Sequence, residues 1–303
     1  MDADSLAAFL EIADAGSFSA AAERLHLSQP AISKRIAGLE ERLAARLFDR
    51  IGRRVLLTEA GRTLLPYAQR VREDLEDGRR ALSHLSPQLR GRLTLGTSHH
   101  IGLHRLPVEL KSFAHDHPDV DLDIQFMDSE VACEAVLAGK LELGIVTLPN
   151  TPLPGLESQL IWQDPLAVVV SPEHALAKRQ RVTPAELARH AAVLPDEATY
   201  THRIIKAELA KHGIQPRVRL ATNYLETLKM LVGIGLGWSV LPRSMLDRSV
   251  RALAIPGFAP SRSLGAVWHR KRTLSAPARR LLEHLGRKGL GRKGLGPKGL
   301  AAR

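Results

Sequence analysis

The sequence contains only one cysteine, Cys133, in 303 residues. A single cysteine excludes a disulfide bond within the chain and is typical of a protein in a reducing compartment. Cys133 lies in the segment SEVACEAVLAG, whose pattern predicts a helix. We therefore expect a small, buried, apolar side chain at this position, with a redox sensor as the alternative interpretation.

Long apolar runs are also absent. No stretch approaches the length that crosses a bilayer, and the N-terminal MDADSLAAFLEIADAG has neither the basic region nor the cleavage site of a signal peptide. With 44% hydrophobic and 25% charged residues, the chain has an ordinary water-soluble composition and room for two or three folded units. We therefore expect a cytoplasmic protein with no membrane partner.

The motifs of catalysis and of metal binding are missing as well. The cysteine has no nucleophile signature, no G-x-S-x-G elbow occurs, and the glycines of LVGIGLGWSVLP lack the strand-turn-helix setting of a dinucleotide fingerprint. No carboxylate or cysteine near the histidines of TSHHIGLH completes a familiar ligand spacing. We therefore expect no catalytic residues, no cofactor and no metal ion.

The net charge of +11 is distributed unevenly along the chain. Residues 1–92 carry a net charge of +2, residues 93–269 carry −1, and residues 270–303 carry +10. The global charge is therefore no argument for specific DNA binding. The basic end contains GRKGL, GRKGL and GPKGL from Gly286 to Leu300, which predicts a disordered tail over 286–303 that attracts DNA without selecting a sequence.

Two helices joined by a tight turn are predicted within SFSAAAERLHLSQPAISKRIAGLEERL. Ser19 is expected to cap the first helix, and the dipeptide HL forms the turn. Ser28 caps the second helix, and Pro30 lies in its first turn, where no backbone N–H is lost. One side of the second helix should face a core, because apolar residues recur there at helical spacing: Ile32, Ile36, Leu39 and Leu43.

The opposite side of the second helix carries side chains that suit the major groove of DNA. Gln29 can bond an adenine edge, and Pro30 and Ala37 can contact a thymine methyl group. Ser33 and Lys34 can bond a base or a phosphate. The alternative is a solvated face of an ordinary helical bundle. The DNA-binding residues predicted on this helix are Ser28, Gln29, Pro30, Ser33, Lys34 and Arg35.

A short basic hairpin is predicted after Phe48, in the segment DRIGRRVLLT. Its central glycine between basic residues is typical of a two-stranded wing. Arg50, Arg53 and Arg54 would then contact phosphates or the minor groove beside the helix. This basic hairpin beside the second helix favours sequence-specific DNA binding over the alternative of a solvated face on an ordinary helical bundle.

The segment FLEIADAGSFSAAAERLHLSQPAISKRIAGLEERLAARLFDR, followed by RRVLLTEAG, resembles the N-terminal domain of the LysR-type transcriptional regulators. The resemblance implies a winged helix-turn-helix, a linker helix that forms dimers, and a two-lobed effector-binding domain, usually in a tetramer on DNA. It also implies that Gln29, Pro30, Ser33 and Lys34 contact bases and phosphates. The expected partners are double-stranded DNA with an interrupted palindrome in promoter regions and further copies of the chain, with RNA polymerase as a further candidate.

A long helix is predicted from Glu59 to about Leu85, with Thr58 as its cap. Pro66 predicts a kink or break in its N-terminal third. An apolar stripe on a helix between two domains has no cover within one chain, so pairing with a second copy is expected. The stripe comprises Leu64, Leu65, Ala68, Val71, Leu75 and Leu82.

Strand and helix patterns alternate from residue 91 onwards, which predicts α/β lobes rich in parallel strands. By the resemblance, two lobes join through crossovers near residues 162–165 and 263–266. The expected fold class is an N-terminal, all-α-rich winged helix-turn-helix with a long linker helix, followed by a C-terminal α/β, two-lobed, periplasmic-binding-protein-like effector domain. The expected bounds are 1–58 for DNA binding, 59–88 for the linker, 89–285 for the effector domain (lobe I at 91–163 and 265–285, lobe II at 164–264), and 286–303 for the tail.

The expected effector is a small polar metabolite, with a carboxylate as the favoured group. The C-terminal ends of strands and the N-termini of helices converge on such a cleft and offer free N–H groups. The resemblance assigns Thr97, Ser98 and Thr201 to effector contact. The predicted effector-binding residues are Thr97, Ser98, His99, His100, Ser129, Thr147, Thr199, Tyr200, Thr201 and Asn223. The alternative function is a small-molecule binding protein without a DNA role.

Overall fold

A computed structural model describes residues 2–51, 54–83 and 89–291. It divides into two compact units, Met1–Leu82 and Ser83–Arg303. No helix in these described ranges is long and apolar enough to span a membrane.

The first unit is a helical bundle with a two-stranded hairpin. Its elements in chain order are α1 (Ala3–Ala15), α2 (Phe18–Arg24), α3 (Gln29–Leu43), β1 (Phe48–Ile51), β2 (Arg54–Leu57) and α4 (Glu59–Ser83). Strands β1 and β2 pair in antiparallel fashion, which confirms the predicted hairpin.

The predicted caps of the two central helices are half right. Ser28 caps α3, accepting a hydrogen bond from Ala31 N at 3.3 Å, with Pro30 in the first turn. The cap of α2 is Ser17, whose hydroxyl accepts from Ala20 N, so the prediction of Ser19 is wrong. Both serines precede the alanine run, but Ser17 has the extended backbone of a cap while Ser19 is already helical.

The core of the first unit forms around three phenylalanines. The ring centroids of Phe9 and Phe18 lie 5.3 and 5.9 Å from that of Phe48, which joins α1, α2 and β1. The predicted apolar stripe of α3 packs here, since Ile32, Ile36 and Leu39 are buried. The fourth residue of the predicted stripe, Leu43, is not buried with the others, because it ends the helix and is 38% exposed.

Helix α4 begins in contact with this core and leaves it further along. Thr58 caps it as predicted, since its Oγ1 accepts from Gly61 N at 3.0 Å. A β-carbon at Gly61 would lie 2.2 Å from Leu47 O, so only glycine fits this first turn. The helix continues through Pro66, so the predicted break does not occur.

The predicted apolar stripe of α4 has two parts. Its N-terminal part, Leu64, Leu65 and Ala68, packs against the core of the same chain. Leu82 belongs to the helix, but its side chain lies outside the described part of the structure. Exposed apolar side chains follow one another at intervals of four residues on the helix: Tyr67, Val71 and Leu75. The N-terminal part of the predicted stripe is therefore covered by its own chain, which leaves Val71 and Leu75 as the predicted stripe residues shown to be exposed.

The second unit alternates strands and helices. Its first half contains β3 (Gly91–Thr97), α5 (His99–His104), α6 (Leu106–Asp116), β4 (Val120–Phe126), α7 (Ser129–Leu137), β5 (Leu143–Thr147) and β6 (Leu156–Val170). Its second half contains α8 (Pro184–Ala188), β7 (Ala191–Leu194), α9 (Tyr200–Lys211), β8 (Arg217–Ala221), α10 (Leu225–Gly233), β9 (Ser239–Pro242), β10 (Arg251–Ala252), β11 (Ser261–His269) and α11 (Ala276–Gly291). Short 3₁₀ turns lie at Ala175–Lys178 and Arg243–Met245.

Two long antiparallel strands, β6 and β11, join the two lobes. In lobe I, β3 pairs in parallel with β4 and β5, and β11 continues that sheet. In lobe II, β6 pairs with β9 and β10, while β7 and β8 form a separate parallel pair. The paired register places Asp164 opposite Arg262 at the crossover. The crossover segments expected near residues 162–165 and 263–266 lie within these two strands.

The C-terminal helix α11 extends into the segment that was predicted to be a disordered tail. A disordered tail was expected from Gly286, but α11 runs to Gly291, so that boundary is too early. Buried side chains hold the helix against lobe I, and Glu283 pairs with Arg280 and Arg287 along its exposed side. Residues 292–303 lie outside the described residues.

Candidate functional site

The predicted DNA-reading side of α3 is exposed. Ser28, Gln29, Pro30, Lys34 and Ala37 are all exposed, and Ser33 is half-buried. Because the other side of the helix is held in the core, these side chains form its free surface. The turn between α2 and α3 positions them, with His26 at a left-handed φ of 53°. Ser19, wrongly predicted as a cap, donates to Gln29 Oε1 at 3.3 Å.

Arg35 differs from the other predicted DNA-binding residues. It is half-buried and forms an ion pair with Asp4 at 3.6 Å. The wing is tied to α1 because Val55 N donates to Gly16 O at 3.3 Å. Arg53 lies outside the described residues, as do the side chains of Arg50 and Arg54.

A narrow cleft between the lobes collects most of the predicted effector-binding residues. Eight of the ten line a cavity of about 40 Å³: Ser98, His99, His100, Ser129, Thr147, Thr199, Thr201 and Asn223. The ends of β3 and β5 and the starts of α5 and α7 supply one wall. The starts of α9 and α10 supply the other.

Two predicted residues do not line this cavity. Thr97 is fully buried, and its hydroxyl donates to Ile145 O at 2.9 Å within lobe I. Tyr200 starts α9 in lobe II, but its ring packs among apolar side chains of lobe I that include Cys133 and Val136. Tyr200 is therefore an anchor between the lobes, and burial raises the pKa of its phenol.

The structure adds five lining residues that the sequence did not predict. These are Asp128, Glu130, Pro195, Leu225 and Arg262. Asp128 accepts a hydrogen bond from Asn223 Nδ2 at 2.7 Å, across the cleft. Glu130 accepts from the backbone N–H of Tyr200, also across the cleft. Burial raises the pKa of the Glu130 carboxyl, although the Tyr200 N–H opposes the change.

A buried ion network closes the inner end of the cleft. Asp164 is completely buried between Arg262 and Arg105, with Arg105 Nη2 at 2.7 Å from Asp164 Oδ1. Burial would raise the pKa of Asp164, but the two guanidinium groups hold it below its ordinary value. Arg262 also donates from Nη1 to Thr201 Oγ1 at 3.2 Å. The network therefore positions a predicted effector-binding residue.

A cluster of two histidines and a carboxylate lies beside the cleft. Glu226 Oε1 is 2.8 Å from His104 Nε2 and 3.7 Å from His100 Nδ1. Burial, together with Arg262, lowers the pKa of His100 to about 4, so this imidazole is neutral near pH 7. No carboxylate near these histidines in the sequence completes a ligand spacing, but the fold brings Glu226 of α10 beside them from a distant segment.

Comparison with known proteins places both units in one family. Residues 3–62 match the model of the bacterial regulatory helix-turn-helix protein, lysR family, and residues 86–289 match that of the LysR substrate binding domain. The chain belongs to the LysR family. It is a LysR-type transcriptional regulator with an N-terminal DNA-binding domain and a C-terminal effector-binding domain.

Individual relatives agree with this assignment. An uncharacterized HTH-type transcriptional regulator in the ibpB-leuC intergenic region of Azotobacter vinelandii is 66% identical over 107 residues, 35% of this chain and 74% of the relative. A probable RuBisCO transcriptional regulator of Thalassiosira pseudonana is 30% identical, covering 86% of this chain and 88% of the relative. The crystal structure of full-length CbnR with its target DNA shares the fold, with 24% identity, a TM-score of 0.67, and coverage of 95% of this chain and 100% of that chain.

Within this LysR-type regulator, Cys133 behaves as a core residue. It is buried against Tyr200, and burial raises the pKa of its thiol to about 11. Since the thiolate is the reactive form, a protonated buried thiol does not suit redox sensing. This favours the structural role expected from the sequence.

Proposed function

We propose that this LysR-type regulator acts in the cytoplasm as a transcription factor controlled by a small metabolite that carries a carboxylate. The metabolite binds in the interlobe cleft and requires no other cofactor. The chain performs no catalysis, and its response to the metabolite consists of binding. What supports this proposal is the arrangement of hydrogen-bonding groups at the cleft, above all at the start of α9.

Glu130 carries the argument for a carboxylate ligand. Its side chain, from lobe I, accepts from the N–H of Tyr200 at the first turn of α9 in lobe II. The free N–H groups and the dipole of a helix N-terminus favour a negative group there. Hydroxyls of Thr199 and Thr201 lie beside it. The carboxylate of Glu130 thus occupies the position that the carboxylate of a bound ligand would take.

The size of the cleft links ligand binding to a change in the lobes. A cavity of about 40 Å³ has room for about three water molecules, whereas metabolite pockets measure roughly 300–1,000 Å³. A metabolite therefore enters only when the Asp128–Asn223 and Glu130–Tyr200 bonds open. Binding replaces direct interlobe bonds by bonds to the ligand, and shifts the population of lobe arrangements.

The DNA-binding part of the proposal rests on α3. Gln29 and Ser33 read base edges in a major groove, while Lys34 and the wing arginines bind phosphates. The exposed apolar surface of α4 (Tyr67, Val71 and Leu75) pairs two copies of the chain and sets the spacing of half-sites in an interrupted palindrome. Pairs of dimers form the tetramer that responds to the effector.

A ligand screen with the full chain tests the proposal. Thermal unfolding is followed with a panel of small carboxylic acids and with the matched carboxamides. A carboxylate that binds the native cleft raises the melting temperature in a concentration-dependent way, and its amide does not. The hit is then added to a gel-shift assay with the intergenic DNA beside the regulator's own gene. Stabilisation by amides and acids alike would contradict the assignment of a carboxylate.

The same gel-shift assay separates the alternative function. A small-molecule binding protein without a DNA role would bind the hit but would show no preference for the intergenic DNA over a scrambled sequence.

A further inference from the structure

A side-chain cluster at the edge of the effector cavity, which shares His100 with the cavity lining, brings together three groups that ligate metals. His100 and His104 lie one turn apart on α5 in lobe I, and Glu226 lies in the first turn of α10 in lobe II. We propose that His100, His104 and Glu226 bind a divalent transition-metal ion, with Zn²⁺ as the best match, and that this ion bridges the two lobes. This site goes beyond the proposed metabolite response.

The spacing of the three groups suits one ion. One ligand atom from each lies within 4.8 Å of the other two. In a tetrahedral zinc site with bonds of about 2.0–2.2 Å, ligand atoms are about 3.3 Å apart. The cluster therefore needs to close by about 1.5 Å or less at its longest separation. Glu226 and His104 can make that movement, because their side chains are 38% and 44% exposed.

His100 supplies the second, independent observation. Its side chain is 3% exposed, yet neither ring nitrogen has a hydrogen-bond partner in the described part of the chain. Buried polar atoms are paired in the great majority of native structures, so an orphaned imidazole here calls for a partner. Glu226 Oε1 at 3.7 Å is too far for a hydrogen bond but close enough to share a cation with Nδ1.

The donor set selects the kind of ion. Two imidazole nitrogens with one carboxylate oxygen suit Zn²⁺ and neighbouring ions such as Co²⁺ and Ni²⁺, whereas Mg²⁺ and Ca²⁺ prefer oxygen ligands alone. Three protein ligands leave one position of a tetrahedron for water or a small ligand. Arg262 lies near His100, but its charge is offset by the buried Asp164.

The position of the ion gives it a regulatory consequence. Two of its ligands belong to lobe I and one to lobe II, so the ion binds tightly only when α5 and α10 are close together. By linkage, bound metal stabilises this lobe arrangement relative to one in which the lobes have separated. A metal ion would therefore oppose opening of the cleft.

Zinc binding to the full chain tests the site directly, with Zn²⁺ alone as the probe. Equilibrium dialysis at free Zn²⁺ from about 1 µM to about 1 mM measures the stoichiometry and midpoint. The wild type is expected to bind one ion per chain in a saturable step. His104→Asn and Glu226→Gln should each raise the midpoint by at least about tenfold, since even partners outside the coordination sphere change metal affinity about 10- to 100-fold.

His115→Asn is the matched control, because it removes an exposed histidine of α6 in the same lobe. It should leave the one-ion step unchanged. Both test substitutions replace half-exposed side chains, so folding is preserved, and unfolding curves of the variants confirm it. The absence of a saturable one-ion step in the wild type, or midpoints in both variants equal to that of the wild type, would overturn the site.

Discussion

Replacing Asp164 by Asn should destabilise the effector-binding unit strongly. The Asp164 carboxylate is completely buried and accepts hydrogen bonds from both Arg262 and Arg105. The Arg262 side chain is only 4% exposed, so losing its counter-ion leaves a guanidinium charge with little access to water. Breaking a buried pair by removing one partner costs about 3–5 kcal/mol, and we expect a loss of this size for Asp164→Asn.

A matched control is available in the same unit. Asp123 accepts a hydrogen bond from Arg92 at 2.8 Å, but the Arg92 side chain is 65% exposed. Exposed pairs of this kind contribute about 0–1 kcal/mol, so Asp123→Asn should change the free energy of unfolding little. Urea unfolding of the full chain, followed by the fluorescence of its tryptophans, all of which lie in this unit, measures both variants. Equal losses in the two variants would refute the assigned role of the buried network.

The pH dependence of the same pair gives a second readout. The pKa of Asp164 is lowered in the folded state, so the unfolded chain takes up the proton first as the pH falls. The stabilisation by the Asp164 carboxylate is therefore complete above the pKa of Asp in the unfolded chain, about 3.9. It is lost as the pH falls through the lower pKa of Asp164 in the folded chain. Asp164→Asn should remove this acid dependence and leave the destabilisation visible near neutral pH.

Other predictions concern the remaining surfaces. Gln29→Ala should cost about 1–3 kcal/mol at one operator position and relax the base preference there, whereas an equal loss on scrambled DNA would count against base reading. Leu75→Asp should weaken dimerisation and DNA affinity together, as measured by sedimentation and gel shift, and a monomeric variant with normal operator binding would count against it. Glu130→Gln should move the effector dose-response to lower concentration, since a neutral amide competes less well than a carboxylate with the effector for the Tyr200 N–H. A dose-response that is unchanged or moves to higher concentration would contradict this. Truncation after Gly291 should reduce DNA binding at low salt and retain operator preference, and loss of that preference would show a specific role for the tail.

The DNA-binding unit could be predicted from sequence because its signals are local. Ser28, Pro30 and the stripe from Ile32 to Leu39 act within one helix, so spacing alone defines the cap, the first turn and the buried side. The wrong prediction of Ser19 as the cap in place of Ser17 also comes from reasoning on local spacing alone. Two serines two residues apart both suit a cap, and only the backbone conformation distinguishes them.

The cleft could be predicted only in part because its groups come from distant segments. The hydroxyl residues at the strand ends could be predicted, because the C-terminal ends of parallel strands lie at the same edge of a sheet. Arg262 and Glu226 were missed, because their contacts with Thr201 and His104 depend on how β11 and α10 pack. Tyr200 was placed in the cleft by its neighbours, but its ring instead fills an apolar space in the other lobe.

The most direct test of the account is the effector response of two cleft variants in a gel-shift assay on the operator. Ser98→Ala and Thr201→Ala remove hydroxyls that line the cavity, while the DNA-reading helix lies in the other unit. With the carboxylate identified by the ligand screen, the account predicts that wild-type DNA binding changes with dose and that both variants lose this response. Their operator affinity without effector should remain at the wild-type level. Wild-type dose dependence in both variants would contradict the placement of the effector between the lobes.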